Sequence, residues 1–125
     1  MRLATIVKPE FQSALKKLLA ANLPIKTAFK LKGVANKVAD ELDKYDKLRL
    51  EMITKYADKD EKGNIVLEDN GHAKFSSDGL RRFIDNLNEL GSVDVDIPAI
   101  HISELDGLDN FTGEDFVFLG DLIDA

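Results

Sequence analysis

The chain contains no cysteine and no tryptophan, and only three prolines interrupt its 125 residues. The lack of cysteine excludes thiolate metal sites, a cysteine nucleophile and a disulfide framework, and is typical of proteins in a reducing compartment. No apolar run approaches the roughly 18 residues that a membrane span requires, and the N-terminal run is too short for a signal peptide. We therefore expect one soluble domain, residues 1–125, with a single hydrophobic core.

Basic residues are also missing from the last third of the chain, because no Lys or Arg follows Arg82. Lysines instead concentrate between Lys8 and Lys37, where Glu10 alone opposes them, while the tail 92–125 is acidic. The asymmetry is compatible with a basic face for nucleic acid and a competing acidic tail. No recognised nucleic-acid-binding signature accompanies the lysines, so packing of the tail on the basic helices or on a partner is the preferred interpretation.

Two amphipathic helices are predicted in the first half of the chain. Pro9 is suited to the first position of a helix that ends near Asn22, and Pro24 to the start of a second helix that runs to Tyr56. The second helix carries a heptad-like apolar seam and would be about 50 Å long. Because one short helix cannot cover that length, we expect a kink near Gly33 or burial of the remainder against another chain.

Shorter elements follow from turn and capping signals. Asn70–Gly71 is typical of a type I′ turn and predicts an antiparallel hairpin of "NIVLED" and "HAKFS", in which Val66 faces Phe75. Ser77 or Asp78 is predicted to cap a third helix, which ends at Gly91. Two segments, "RLATIV" and "VDVDI", are β-prone, and in the second we expect Val93, Val95 and Ile97 to point inward. In the tail, Ser103 and Thr112 mark helix starts, and a short helix closes the pattern.

Together these elements predict an α+β fold. It consists of a long-helix hairpin, a small antiparallel β-hairpin, a third helix and a C-terminal tail that packs across them.

The stretch "DKDEKGNIVLED", residues 58–69, matches a calcium-binding loop in part. Asp58, Asp60 and Gly63 fall at the first, third and sixth positions of the template. Lys62, however, occupies the fifth position, where a ligand oxygen is needed, and the expected hairpin removes the second helix of a calcium hand. We therefore expect these residues to end the long helix and reverse the chain, and we expect no metal or other cofactor.

No catalytic constellation emerges from the sequence. The two histidines, His72 and His101, lie in stretches better explained by a turn and by a strand or loop edge. The serines form no nucleophile elbow, there is no glycine-rich phosphate loop, and Asp94 and Asp96 fit the solvated face of an edge strand. We expect a protein that is not an enzyme.

The chain nevertheless resembles a known group of proteins. The segments that carry the resemblance, in order, are "LPIKTAFKLKGVANKVADELDKYDKLRLEMITKYADKDEKGNIV", the helix after Arg82, and "VDVDIPAIHISELDGLDNFTGEDFVFLGDLI". In this order they resemble a widespread, functionally uncharacterised family of small proteins encoded by tailed bacteriophages. The resemblance implies a virion component, an assembly factor or a host-interaction protein, located in the host cytoplasm or the virion. It provides no catalytic residues to transfer.

The residue pattern favours the same class, because the long helix and the tail carry more apolar surface than short neighbours can cover. The alternative is that all of it closes one monomeric core. We expect a protein partner or self-association, and the candidate partner-binding residues are Lys26, Lys30, Lys32, Phe111, Phe116, Phe118 and Leu122. A nucleic-acid-associated regulator that uses the Lys8–Lys37 region is the alternative function.

Overall fold

A computed structural model describes residues 1–109 and 111–124. It is mostly helical, with one small parallel sheet. The α-helices are α1 (Leu3–Ile6), α2 (Pro9–Ala20), α3 (Ile25–Tyr56), α4 (Ser77–Gly91) and α5 (Gly113–Leu119), the strands are β1 (Ile100–His101) and β2 (Ile123–Asp124), and the 3₁₀ helices span Ile102–Leu105 and Gly120–Leu122.

The two long predicted helices are confirmed. Pro9 occupies the first turn of α2, where its missing N–H is not needed, and the helix ends at Ala20, slightly before Asn22. Pro24 is the N-cap of α3, whose 32 residues run through Gly33 without interruption over about 48 Å. The sequence predicted either a kink near Gly33 or burial of the remainder of α3 against another chain; the helix is continuous at Gly33, and burial against another chain stays a prediction.

The hydrophobic core lies between α2, the first half of α3 and the C-terminal tail. The side chains with almost no exposed surface come from these three parts and from α1: Ile6, Phe11, Leu18, Leu31, Val34, Ile100, Leu119 and Leu122. β1 and β2 pair in parallel with Ile100 opposite Ile123, which fixes the end of the chain against the segment before the first 3₁₀ helix. The acidic tail thus folds onto helices of its own chain.

The predicted antiparallel hairpin is wrong. Residues 57–76, all of them described, form only isolated bridges, and Leu67 rather than Glu68 lies opposite Ala73. The Gly71 N–H donates to the Glu68 carbonyl and Gly71 has φ 84°, which is the pattern of a turn over residues 68–71 followed by a glycine bulge. This longer loop shifts the register by one residue.

A neighbouring segment also competes for the backbone of the expected hairpin. The Val66 N–H donates to the Asp58 carbonyl, the Lys74 N–H donates to the Val66 carbonyl, and the Asp58 N–H donates to the Lys74 carbonyl. Three segments therefore share their hydrogen bonds, and no continuous two-stranded ladder forms.

Both predicted single strands are also wrong. "LATI" in the first is helix α1, because Leu3 and Ile6 lie one turn apart and are both buried. The "VDVDI" segment contributes only one antiparallel bridge, between Asp94 and Arg2. Val95 is buried as expected, but Val93 is half exposed. The third predicted helix is confirmed as α4, but its cap is neither Ser77 nor Asp78. The Ser76 side chain caps it by accepting a hydrogen bond from the Gly79 N–H.

Candidate interaction surface

Two large apolar side chains stand in water at the beginning of α3. Ile25 is 83% exposed and Phe29 is 82% exposed. They are four residues apart and therefore lie one above the other on the same helix face. The buried residues of this part of α3, among them Leu31 and Val34, lie on the opposite face. Burying an exposed Phe or Ile is worth about 1.5 to 3 kcal/mol each, so covering this face with another apolar surface would be favourable.

The two side chains are held on rigid backbone. The Ala28 N–H donates to the Pro24 carbonyl at 2.9 Å, which closes the first turn of the helix. Thr27 and Leu31 in the same turns are buried in the core, so the helix cannot rotate to hide Ile25 and Phe29. A partner would meet a preformed surface and would not need to order it.

Lysines surround this apolar pair. Lys26, Lys30 and Lys32, which the sequence predicted as partner-binding residues, are all exposed on the first turns of α3. Lys30 is engaged within the chain, because its Nζ lies 3.3 Å from Glu104 Oε2. Lys26 and Lys32 form no ion pair within residues 1–109 and 111–124. We call Ile25, Lys26, Phe29 and Lys32 the entry face of α3.

The ion pair of Lys30 also connects α3 to the tail. Glu104 accepts a hydrogen bond from the His101 backbone N–H at 3.1 Å, and His101 and Glu104 together form a capping box on the first 3₁₀ helix. The pKa of Glu104 lies below its ordinary value, mainly because of this backbone hydrogen bond and secondly because of the hydrogen bond from Lys30. His101, and not the predicted Ser103, is thus the N-cap, and the histidine has a structural role in the folded chain.

The tail residues predicted to bind a partner pack mainly within the chain. The rings of Phe111 and Phe116 meet edge to face with centroids 4.7 Å apart, and both rings and Phe118 are partly buried against the core. Leu122 has no exposed surface at all. A fully buried side chain cannot contact a partner of the folded chain, so the prediction for Leu122 is wrong.

A second ion pair ties the tail to α2. Lys17 Nζ lies 3.1 Å from Asp115 Oδ2, and the same carboxylate accepts a hydrogen bond from the Thr112 backbone N–H at 3.0 Å. Thr112 in turn caps α5 by accepting a hydrogen bond from the Asp115 N–H, as the sequence predicted. The pKa of Asp115 lies below its ordinary value of 3.8. The largest cause is the hydrogen bond from the Thr112 backbone N–H; burial opposes the shift, and the hydrogen bond and positive charge of Lys17 add to it.

This lowered pKa predicts a pH dependence of stability. Because the pKa of Asp115 is lower in the folded chain than in the unfolded one, its contribution is fully present above about pH 4 and is lost as the pH falls through the folded pKa. Asp115→Asn should therefore lower the midpoint of urea unfolding at neutral pH, and the gap to the wild type should narrow at about pH 3. Glu114→Gln at the exposed neighbouring position is the control, and an equal gap at both pH values would contradict the assignment.

The aspartates of the calcium-like loop serve the backbone. Asp60 Oδ1 accepts hydrogen bonds from the N–H groups of Lys62 and Asn64, and Asp58 Oδ1 accepts one from the Ser76 N–H. These contacts make the loop a chain reversal, in which Gly63 adopts φ 81°. Within the described part of the chain, no three His, Asp or Glu side chains are grouped so that they could hold a metal ion.

Sequence reasoning found the lysines of the entry face but missed Ile25 and Phe29. The apolar seam of α3 begins at Leu31 and indicates buried positions such as Leu31 and Val38, so it does not include Ile25 and Phe29. The signal was present, since Ile25 and Phe29 repeat at four residues on the side of the helix opposite the seam.

No protein-family model, curated protein or solved structure matches the chain. None of the helices within residues 1–109 and 111–124 has the length and apolar character needed to cross a membrane.

Proposed function

We propose that the protein is a non-enzymatic, phage-encoded protein-interaction domain that binds an acidic, partly apolar protein segment on the entry face of α3. The observation that carries the proposal is the exposure of Ile25 and Phe29, each above 80%, on consecutive turns of a fixed helix. The phage origin rests on the sequence resemblance alone. It makes the virion and the cytoplasm of the infected host the two places where such a partner would be met.

The charges around the apolar pair define the partner's chemistry. Lys26 and Lys32 flank Ile25 and Phe29, and an acidic segment would place carboxylates against both ammonium groups. An apolar residue of the same segment would cover the Phe29 ring, which is the arrangement of an aromatic anchor with a charged rim.

Peptide selection tests this proposal. We expect a displayed random-peptide library selected on the wild-type protein to yield peptides that combine Asp or Glu with large apolar residues. Phe29→Ser should weaken the binding of these peptides by about thirtyfold, the loss typical of a central aromatic contact. Since Phe29 is exposed, the substitution should leave the unfolding midpoint nearly unchanged.

The matched control is Val117→Ser, which removes another strongly exposed apolar side chain, 74% exposed, from α5. It should leave peptide affinity within about twofold of the wild type. Selected peptides without acidic residues, or peptides that bind Phe29→Ser as well as the wild type, would contradict the proposal.

A second candidate function is nucleic-acid binding, because Phe29 stands among Lys26, Lys30 and Lys32. An exposed aromatic ring among cations can stack a base of a single strand while the lysines contact phosphates. The overall net charge of −6 opposes this candidate at long range. It requires that a labelled single-stranded oligonucleotide bind in a salt-dependent manner and be released when Lys26, Lys30 and Lys32 are replaced by Glu.

A further inference from the structure

Residues 39–94, which we call the distal half of the molecule, contain almost no buried side chains. Buried side chains on α3 end at Val38, and between residues 39 and 94 only Ala57 and Gly91 are buried. Helices in water are stabilised mainly by burying an apolar face, so the second half of α3 and α4 together expose more apolar surface than their mutual contact covers. Burial of this length of α3 against another chain is one of the two alternatives that the sequence predicted.

The uncovered surface is a groove between α3 and α4. Leu48, Met52 and Tyr56 recur every four residues along its α3 side, and Leu90 and Val93 lie on the other side. The groove encloses about 490 Å³. We call it the distal groove.

Contacts between α3 and α4 fix the base of the distal groove. Asn86 Nδ2 of α4 donates to the Tyr56 hydroxyl of α3 at 3.3 Å. Gly79 sits so close to α3 that a Cβ there would come within 2.5 Å of the Tyr56 carbonyl oxygen. The two helices therefore meet along a fixed line, and the groove is preformed.

Charges of both signs form its rim. Glu51 and Lys55 lie on the α3 side and Glu89 on the α4 side. All three are exposed, and none of them forms an ion pair within the described residues. A partner surface that carried charges of only one sign would be repelled by the rim residues that carry the same sign. A second copy, related by a two-fold axis, would present both signs and could place its Lys55 ammonium group against a rim carboxylate of the first copy.

The size of the face also fits a second copy that binds weakly. α4 has 15 residues and is about 22 Å long, and two helices side by side are about 20 Å wide. The face is therefore on the order of 400 Å² in projection, below the roughly 800 Å² per partner of a standard stable interface.

We propose that the protein forms a weak homodimer in which the distal grooves of two copies pack against each other. Leu48, Met52 and Tyr56 of the two copies form the shared apolar centre. Lys55 of each copy pairs with a carboxylate at the rim of the other. The interface is separate from the entry face of α3, which stays free on both copies.

Charge complementation tests the dimer without disturbing the fold, because the rim residues are exposed. One variant carries Glu51→Lys and Glu89→Lys, and the other carries Lys55→Glu. By sedimentation velocity across a concentration series, we expect the wild type to shift from monomer to dimer. Each variant alone should dimerise at least about tenfold more weakly, since its groove carries a single sign, and an equimolar mixture should recover a dimer.

Lys16→Glu is the matched control, because it makes the same charge change on an exposed residue of α2 away from the groove. It should leave dimerisation unchanged. A wild type that remains monomeric at the highest concentration would overturn the proposal. So would a dimer that both groove variants form as readily as the wild type, or variants that stay monomeric when mixed.

Discussion

Replacing Leu122 by alanine should lower the free energy of unfolding by about 2 to 5 kcal/mol, a large share of the stability of a small domain. Leu122 is fully buried, in the 3₁₀ helix between α5 and β2. Removing most of its side chain leaves a cavity that the surrounding core fills only in part. The expected loss is that of a core residue, although only three residues follow Leu122 in the sequence.

Urea unfolding monitored by circular dichroism provides the measurement. Val117→Ala is the matched control, since Val117 lies on the adjacent helix α5 and is 74% exposed. Its effect should stay within about 0.5 kcal/mol. If both variants unfolded at the same urea concentration as the wild type, the tail would not be part of the core.

A second large effect is expected at Gly79, where alanine should destabilise the chain by about 1 to 3 kcal/mol. Alanine ordinarily stabilises a helix by up to about 1 kcal/mol relative to glycine. At Gly79 the added Cβ would lie 2.5 Å from the Tyr56 carbonyl oxygen, which is a backbone atom of α3. The helices must separate to relieve this overlap, and the sign of the usual effect reverses.

Gly33→Ala is the matched control within α3. A Cβ at Gly33 would have no neighbour within 4 Å. The substitution should therefore raise the free energy of unfolding by about 0.5 to 1 kcal/mol. Thermal or urea unfolding of both variants tests the close approach of α3 and α4, because a stabilising effect at both glycines would show that the helices are not in contact at Gly79.

Local signals in the sequence predicted where three of the helices begin. Pro9 and Pro24 mark where α2 and α3 begin, and Thr112 with Asp115 forms the predicted capping box of α5. Each of these signals acts within a few residues of the element that it starts. They need no knowledge of what the helix will pack against.

The paired segments could not be predicted in the same way, because their partners are distant in the sequence. β1 and β2 have two residues each, too few for an alternating pattern, and Ile100 pairs with Ile123 only once the tail has folded back. The β-prone residues of α1 form a helix because Leu3 and Ile6 then reach the same core, and tertiary burial outweighs local preference.

The candidate site also combines features that local sequence signals predict with features that depend on distant contacts. Lys26, Lys30 and Lys32 stand out in the sequence by their charge. The ion pair between Lys30 and Glu104 joins residues 74 positions apart and could not be foreseen. The exposure of Ile25 and Phe29 follows from which face of α3 meets the core. The seam indicates which face is buried, and Ile25 and Phe29 lie on the opposite face.

The proposal that α3 binds a partner through its entry face is tested most directly by an NMR titration of isotope-labelled protein with an acidic peptide from the selection. We predict that amide shifts change around Ile25 to Lys32 and that the amides of α4 stay unchanged. Shifts centred on α4 or on the tail, or no shifts at all, would contradict the entry face as the binding surface.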